Sequence, residues 1–365
     1  MAEMKIAGEM FNVRVEGSDK APVIMLSNSL GSNLHMWDGQ ISVLTKYFKV
    51  VRYDSRGHGK SPVSGGAYSI AGLGRDALAI MDALQLDRVH WLGLSMGGMV
   101  GQWLLANARE RIGRAILANT AAQLGTPDLW NTRIRTVLSQ GMGAIIPAMI
   151  DRWFTASFQA KAPNQIARII EMLRATPAHG YAGCCSAIRD MDQRDLIRSI
   201  SNPVLVIAGK HDPATTPDMA ALLVASIRGA QLVTLEAAHL SNIEAEAAFN
   251  KTMMEFLLDA RLRFAPPPPA AARKPASVKP AAKSVARKAP ARKTAARKPA
   301  ARKAAAGKSA ARKAAARKPA ARTAKPSGTR KPAAKPGKAA AKKPAAKSIA
   351  LRKTAAKKPA ARGRR

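Results

Sequence analysis

The last part of the chain sets a limit on what can fold. Residues 265–365 contain 33 Lys and Arg residues, no Asp or Glu and no aromatic residue. They begin with the prolines of residues 266–269 and continue almost entirely in Ala, Lys, Arg and Pro. Such a segment cannot bury enough apolar surface to offset the entropy lost on ordering, so we expect it to be disordered in isolation. A folded core must therefore form within residues 1–264.

The charge balance separates the same two parts. The sequence of 365 residues has a formal net charge of +37, but residues 1–264 have a net charge of only +4. The first part therefore has the charge of an ordinary globular domain. This excludes a protein that is basic throughout and binds nucleic acid along its whole length.

Short apolar runs alternate with helix-like segments in residues 1–264. Strand-like runs occur at residues 23–26, 50–53, 89–92, 115–118, 204–208 and 232–235. Helical spacing of apolar residues is found at 70–86, at 99–105 and in a closing helix at about 243–262. Buried strands separated by helices are typical of a parallel sheet covered on both faces, so the predicted fold class is α/β.

Residues from about 121 to 198 interrupt this alternation, because they have a helical pattern throughout. A helical insertion between two sheet strands would lie over the strand ends as a lid. We therefore expect a core formed by residues 1–120 and 199–264, a helical lid at 121–198, and a disordered basic tail at 265–365.

The compartment follows from three features. No run of about 18 apolar residues could span a membrane, and the N-terminus lacks the apolar stretch of a secretory signal. Cys184 and Cys185 are adjacent, and neighbouring cysteines rarely bridge, so we expect free thiols in a reducing cytoplasm. No Cys and His residues have zinc-ligand spacing.

A candidate nucleophile lies between a predicted strand and a predicted helix. Residues 93–97 read Gly-Leu-Ser-Met-Gly and match the pattern Gly-x-Ser-x-Gly. The pattern alone is weak, but it requires this strand–turn–helix setting, in which glycines allow a tight turn that exposes the serine. Ser95 is therefore the predicted nucleophile.

A serine hydroxyl needs a base to remove its proton. His239 is the preferred base, because it closely follows the strand at 232–235 and precedes the last helix. The other five histidines lie in a predicted strand, in the insertion, in loops or at a turn: His35, His58, His90, His179 and His211.

The base needs an acid to orient it. Asp212 follows the strand at 204–208, so all three candidates lie at the carboxyl ends of strands, where open α/β sheets hold their sites. The order Ser95, Asp212, His239 is that of α/β-hydrolases. Asp54 is a rival acid, but it precedes the serine, and we interpret it as a turn residue bonded to local backbone.

The tetrahedral intermediate of acyl transfer requires hydrogen-bond donors for its oxyanion. One predicted donor is the backbone N–H of Met96, the residue after the nucleophile. The other is expected in the loop after the strand at 23–26, at the backbone N–H of Leu30.

Several segments together resemble 3-oxoadipate enol-lactonase, a family of the α/β-hydrolase superfamily. The resemblance covers about residues 5–260 and is carried by residues 26–31, 37–38, 53–59, 93–99, 130–133, 180–181, 187–190 and 238–242. Many α/β-hydrolases share the serine and Asp-x-Arg-Gly-His-Gly motifs, so the segments in the predicted lid favour this lactonase. The resemblance implies the α/β-hydrolase fold with a helical lid.

The resemblance also implies an activity. It would be hydrolysis of the enol-lactone to 3-oxoadipate in the β-ketoadipate pathway of aromatic-compound catabolism, without a metal or organic cofactor. Because this substrate carries a free carboxylate, its pocket should offer a cation. Arg133 is the first candidate, Arg189 is the second, and Trp130 would form an apolar wall.

Two alternatives stay open. A carboxylesterase or another small-ester hydrolase would use the same three catalytic residues on a different substrate. The tail resembles Lys- and Ala-rich histone H1-like segments, and a flexible polycation without aromatic residues would bind nucleic acid or another polyanion through phosphates, with little sequence preference. The protein would then be nucleoid-associated and its hydrolase domain secondary. The sequence does not determine the oligomeric state.

Overall fold

Eight strands form one sheet, and its middle consists of the apolar runs identified in the sequence. The structure is a computed structural model that describes residues 2–6 and 8–261. In chain order, β1 to β8 are Ala2–Ile6, Glu9–Glu16, Val23–Ser27, Lys49–Tyr53, Val89–Leu94, Ile112–Ala118, Val204–Gly209 and Gln231–Leu235.

The spatial order of the strands is β1-β2-β4-β3-β5-β6-β7-β8. Strands β3 to β8 pair in parallel, whereas β1 and β2 form an antiparallel hairpin whose second strand pairs with β4. Every residue of β6 and β7 is buried, which requires cover on both faces of the sheet. The predicted mostly parallel α/β sheet is confirmed.

Eleven α-helices are present in the described residues. In chain order, α1 to α11 are Asp38–Leu44, Ile70–Ala83, Met96–Asn107, Pro127–Gln140, Ile146–Trp153, Ala156–Lys161, Pro163–Arg174, Ala178–Arg189, Pro217–Ser226, Ser241–Glu244 and Glu246–Leu258. Short 3₁₀ turns occur at Leu34–Trp37, Arg109–Arg111, Met142–Ala144 and Leu196–Ser199.

The chain between β6 and β7 is helical. It contains α4 to α8 and no strand among its described residues. Helices α4 and α8 pack closely on each other. Side chains from α4, α5 and α8 line a cavity together with residues that follow β3, β5 and β8, so these helices cover the carboxyl edge of the sheet.

The closing helix differs from the prediction. Instead of one helix at about 243–262, α10 and α11 are separate and meet at Ala245, which has φ −118° and ψ 45°. Alanine has the highest helix propensity of all residues, so nothing in the local sequence indicates this break.

The remaining expectations have different outcomes. Cys184 and Cys185 are free thiols buried in α8, as predicted. Among the described residues, no helix is long and apolar enough to cross a membrane. The same residues contain no group of three or more His, Cys, Asp or Glu side chains arranged to hold a metal ion. The predicted disordered tail at 265–365 and its polyanion partner lie outside the described residues.

Candidate active site

Ser95 lies on a strained turn between β5 and α3. Its backbone has φ 56° and ψ −114°, a combination that side-chain-bearing residues rarely adopt. The flanking glycines allow this turn, because a Cβ on Gly93 would collide with the carbonyl oxygen of Gly97. The turn is held by the Ser95 N–H, which donates to the Ala118 carbonyl at 2.9 Å, and by the Thr120 hydroxyl, which donates to the Ser95 carbonyl at 2.7 Å.

Asp212 and His239 form a buried pair at the ends of β7 and β8. Their exposed fractions are both 3%, and Oδ2 of Asp212 lies 2.8 Å from Nδ1 of His239. Oδ2 also accepts hydrogen bonds from Asn119 and from the Thr215 hydroxyl. The other oxygen, Oδ1, accepts the backbone N–H groups of Ala214 and Thr215.

These contacts keep Asp212 ionised. Burial by itself raises the pKa of this carboxyl, but the charge of His239 and the hydrogen bonds from His239, Thr215 and Asn119 outweigh burial and lower the pKa to about 2. A carboxylate at this position holds the N–H of the imidazole on Nδ1. The other ring nitrogen, Nε2, is then the proton acceptor of neutral His239.

Ser95 and His239 line the same cavity, which the structure forms between the sheet edge and the helices above it. It is lined by Ser29, Leu30, Ser95, Leu124, Trp130, Arg133, Met149, Arg152, Trp153, Ile188, Ala214 and His239. The side chains of Ser95 and His239, with Asp212 bonded to His239, are therefore brought to one site at the carboxyl edge of the sheet.

The two predicted oxyanion donors lie next to this site. Leu30 lines the cavity, and Met96 is the first residue of α3, so its N–H has no acceptor within the helix. The loop that contains Leu30 is fixed at the next residue, because the Gly31 N–H donates to Nε2 of His58 at 2.8 Å.

His58 has a role that the sequence analysis did not find. It is fully buried, and burial lowers its pKa to about 4, so the ring is neutral near pH 7. Since Nε2 accepts from Gly31, the hydrogen is on Nδ1, which lies 3.3 Å from the carbonyl oxygen of Arg56. The Gly-His-Gly motif was the available signal, but it gives no indication of this partner.

Asp54 is bonded within the protein rather than to His239. Its two oxygens accept the backbone N–H groups of Leu34 and Lys60, at 2.8 and 2.9 Å. The side-chain amide of Asn12 donates to it as well, at 2.7 Å. These contacts agree with its interpretation as a backbone-bonding residue, although Leu34 and Asn12 are distant in sequence.

Two of the three predicted substrate-binding residues line the cavity. Trp130 is buried, and its indole N–H donates to the Leu124 carbonyl at 2.6 Å. The guanidinium of Arg133 lies 5.1 Å from the centre of the Trp130 ring. Both side chains project from α4, one turn apart.

Arg189 does not line the cavity. Its guanidinium donates to both carboxylate oxygens of Asp190, at 2.7 and 2.8 Å, and to Asn131 at 2.8 Å. It is the last residue of α8, and its neighbour Ile188 contacts the cavity instead. The expectation that Arg189 faces the substrate is therefore corrected, because local partners hold this side chain outside the cavity.

Three lining residues from α5 were missed: Met149, Arg152 and Trp153. Trp153 is buried, and its ring stacks near that of His239, with centroids 6.5 Å apart and planes inclined by 29°. Arg152 is exposed and lines the same cavity. The sequence offers only an Arg-Trp pair within a helical segment, which does not indicate which face of α5 points towards Ser95.

The electrostatic character of the cavity follows from its lining. Arg133 and Arg152 contribute two guanidinium groups, and no Asp or Glu is among the lining residues of the described chain. A cavity of this kind favours an anionic ligand, since guanidinium groups bind carboxylates through paired hydrogen bonds.

Comparison with known proteins gives a consistent result. Residues 22–246 match the family described as alpha/beta hydrolase fold. The chain is 41% identical to 3-oxoadipate enol-lactonase 2 of Acinetobacter baylyi over 239 residues, which cover 66% of this chain and 90% of the relative. It is 38% identical to 3-oxoadipate enol-lactonase 1 of the same organism, over 68% of this chain and 94% of the relative.

Solved structures agree with these relatives. The crystal structure of the enol-lactonase from Burkholderia xenovorans is 42% identical, with a TM-score of 0.69 over 70% of this chain and 98% of that chain. The fold described above is thus a known one. The chain belongs to the alpha/beta hydrolase fold family and is a carboxylic-ester hydrolase.

Proposed function

We propose that this hydrolase opens 3-oxoadipate enol-lactone to 3-oxoadipate, through an acyl-enzyme on Ser95, as a step of aromatic-compound catabolism. The observation that carries the proposal is the cavity shared by Ser95 and His239, whose lining includes Arg133 and Arg152 and, among the described residues, no Asp or Glu. The enol-lactone carries one carboxylate besides its ester, so it fits both the nucleophile and the charge. The two enol-lactonases of Acinetobacter baylyi support the same substrate.

The first step is acylation. Ser95 attacks the lactone carbonyl while Nε2 of His239 takes the hydroxyl proton. Asp212 stabilises the imidazolium that forms and holds its orientation through the 2.8 Å contact to Nδ1. Because the pKa of Asp212 is lowered to about 2, the carboxylate is ionised near neutral pH.

The oxyanion of the tetrahedral intermediate is proposed to accept the backbone N–H groups of Leu30 and Met96. Removal of one such donor typically costs about 3–4 kcal/mol in the transition state. The His58–Gly31 hydrogen bond keeps the first of these amides in place, since it fixes the residue that follows Leu30.

Collapse of the intermediate breaks the ring C–O bond. The leaving group is an enolate, which takes the proton from the His239 imidazolium and becomes the ketone of the product, still attached to the acyl chain; His239 is neutral again. Water then attacks the acyl-enzyme while neutral His239 takes its proton. The second tetrahedral intermediate expels the Ser95 oxygen, which takes that proton from His239, and the acid product is released.

The free carboxylate of the lactone, which takes no part in the reaction, is proposed to bind Arg133, with Trp130 as the apolar wall beside it. The guanidinium of Arg133 is held against the Trp130 ring, so it needs little further ordering to bind an anion. Arg152 supplies a second cation on the same cavity.

The test compares an anionic lactone with a neutral ester. Purified protein should hydrolyse the enol-lactone with a higher kcat/KM than p-nitrophenyl acetate, and Ser95→Ala should abolish both activities. Arg133→Ala should raise KM for the lactone about tenfold or more, as expected for a lost charged hydrogen bond, and leave KM for the neutral ester nearly unchanged.

Two results would contradict the proposal. If Arg133→Ala changed KM equally for both substrates, Arg133 would not bind the carboxylate of the lactone. Turnover of the neutral ester without turnover of the lactone would favour the carboxylesterase alternative. The binding of nucleic acid or another polyanion by residues 265–365 stays a prediction from composition.

A further inference from the structure

We propose that Glu244 is a positioning residue that ties the helices above the cavity to the loop carrying His239. The proposal rests on the proposed role of His239 as the base. It concerns residues 153–155, the last residue of α5 and the two residues before α6, in the helices α4 to α8 above the sheet edge, here called the cap. This segment is hydrogen-bonded directly to Leu240, the residue after the base, and through Glu244 to Ala238, the residue before it.

Glu244 makes the first of these connections. Its Oε2 accepts the backbone N–H of Ala238, the residue before the base, at 2.9 Å. Its Oε1 accepts both the hydroxyl and the backbone N–H of Thr155, at 2.5 and 3.2 Å. Its Oε2 also lies 3.3 Å from the Thr155 N–H, so one half-buried carboxylate binds both the His239 loop and the cap.

The second connection is made by the main chain. The N–H of Leu240, the residue after the base, donates to the carbonyl of Trp153 at 3.1 Å. The Trp153 ring itself stacks near the imidazole. The backbone of His239 is thus held at the residue before it and at the residue after it, in both cases by groups connected to residues 153–155.

This arrangement has a chemical consequence. The proton transfer from Ser95 to His239 depends on the position of Nε2, and a misplacement of about 1 Å can cost on the order of 100-fold in rate. Glu244 acts on that position through the backbone and does not line the cavity itself. Its loss should therefore lower kcat and leave KM unchanged.

The experiment uses the full chain and a substrate that does not depend on the proposed lactone. Glu244→Ala should lower kcat for p-nitrophenyl acetate about 10- to 100-fold and change KM less than about threefold. The rate at which a small fluorophosphonate phosphonylates Ser95 should fall by the same factor. In that reaction the Ser95 oxygen bonds to phosphorus, fluoride leaves, and His239 takes the proton.

Two further variants control for stability. Glu246→Ala removes the same charge from an exposed residue two positions later and should retain wild-type kcat. Thr155→Val keeps the Glu244–Ala238 bond but removes the hydroxyl donor, and it should lower kcat severalfold, whereas Thr155→Ser should restore it. If Glu244→Ala fails to fold, the comparison of kcat between Thr155→Val and Thr155→Ser tests the proposal instead.

The proposal is overturned if folded Glu244→Ala or Thr155→Val phosphonylates Ser95 at the wild-type rate. It is also overturned if these variants change only KM. Wild-type protein that turns over the neutral ester but not the lactone would contradict the substrate proposal alone, because the Glu244 comparison would still be measurable.

Discussion

The sheet edge and the helical cap differ in how their functional side chains are placed. At the sheet edge, Ser95, Asp212 and His239 each follow a strand, and strand topology brings them to one place. In the cap, the position of an arginine depends on which face of its helix packs inward, so Arg133 lines the cavity and Arg189 does not. Topology can be read from the order of elements, whereas helix rotation depends on tertiary packing.

The largest expected effect belongs to the sheet edge. Asp212→Asn should lower kcat by about 10⁴-fold, because an amide does not hold the required imidazole tautomer or stabilise the imidazolium. KM should change little, since Asp212 does not line the cavity. Steady-state kinetics on both the lactone and p-nitrophenyl acetate would measure the loss.

Asp54→Asn is the matched control for that variant, because it changes the rival strand-end acid in the same way. Asp54 accepts two backbone N–H groups and an Asn12 amide, so the change should lower the free energy of unfolding. The folded variant should keep kcat within about tenfold. If Asp54→Asn lowered kcat as much as Asp212→Asn, the assignment of Asp212 as the orienting acid would be wrong.

The next effect concerns the pH dependence of stability at the same edge. The folded state lowers the pKa of His58 to about 4, against an ordinary value of 6.5. Folded protein therefore leaves His58 neutral while the unfolded chain takes up a proton below pH 6.5. This contribution to the free energy of unfolding is fully present above pH 6.5 and is lost as the pH falls to 4, by about 3 kcal/mol.

His58→Gln separates this contribution from that of His90, whose pKa burial also lowers to about 4. Urea unfolding between pH 4 and 7.5 should show a dependence that is weaker than in the wild type by about 3 kcal/mol. His90→Gln should leave the His58 part in place. If the free energy of unfolding of His58→Gln depended on pH as in the wild type, the neutral form of the buried His58 ring would not be what holds the Gly31 loop.

The contrast between the two regions also shows how much the sequence could predict. Apolar runs and turn motifs were sufficient to predict the central strands and the shared location of Ser95, Asp212 and His239, because parallel strands end at a common edge. The β1–β2 hairpin was missed, since its second strand buries the polar Asn12 between Phe11 and Val13 and so breaks the alternation. The contacts of His58 with Gly31 and of Glu244 with Thr155 join residues distant in sequence, and nothing in the local sequence indicates the break at Ala245.

The smallest expected effect tests the cap. Arg152→Ala should raise KM for the anionic lactone about tenfold, equivalent to about 1.4 kcal/mol, because an exposed cation on the cavity binds a carboxylate only partly shielded from water. Arg189→Ala should change KM less than about twofold, since Asp190 and Asn131 already occupy its guanidinium. Salt should weaken binding in the wild type and less so in Arg152→Ala, because screening acts on the interaction that the variant lacks. A larger effect of Arg189→Ala than of Arg152→Ala would show that the cap rotates its helices when substrate binds, and the distinction between the two regions would then be one of mobility rather than of packing.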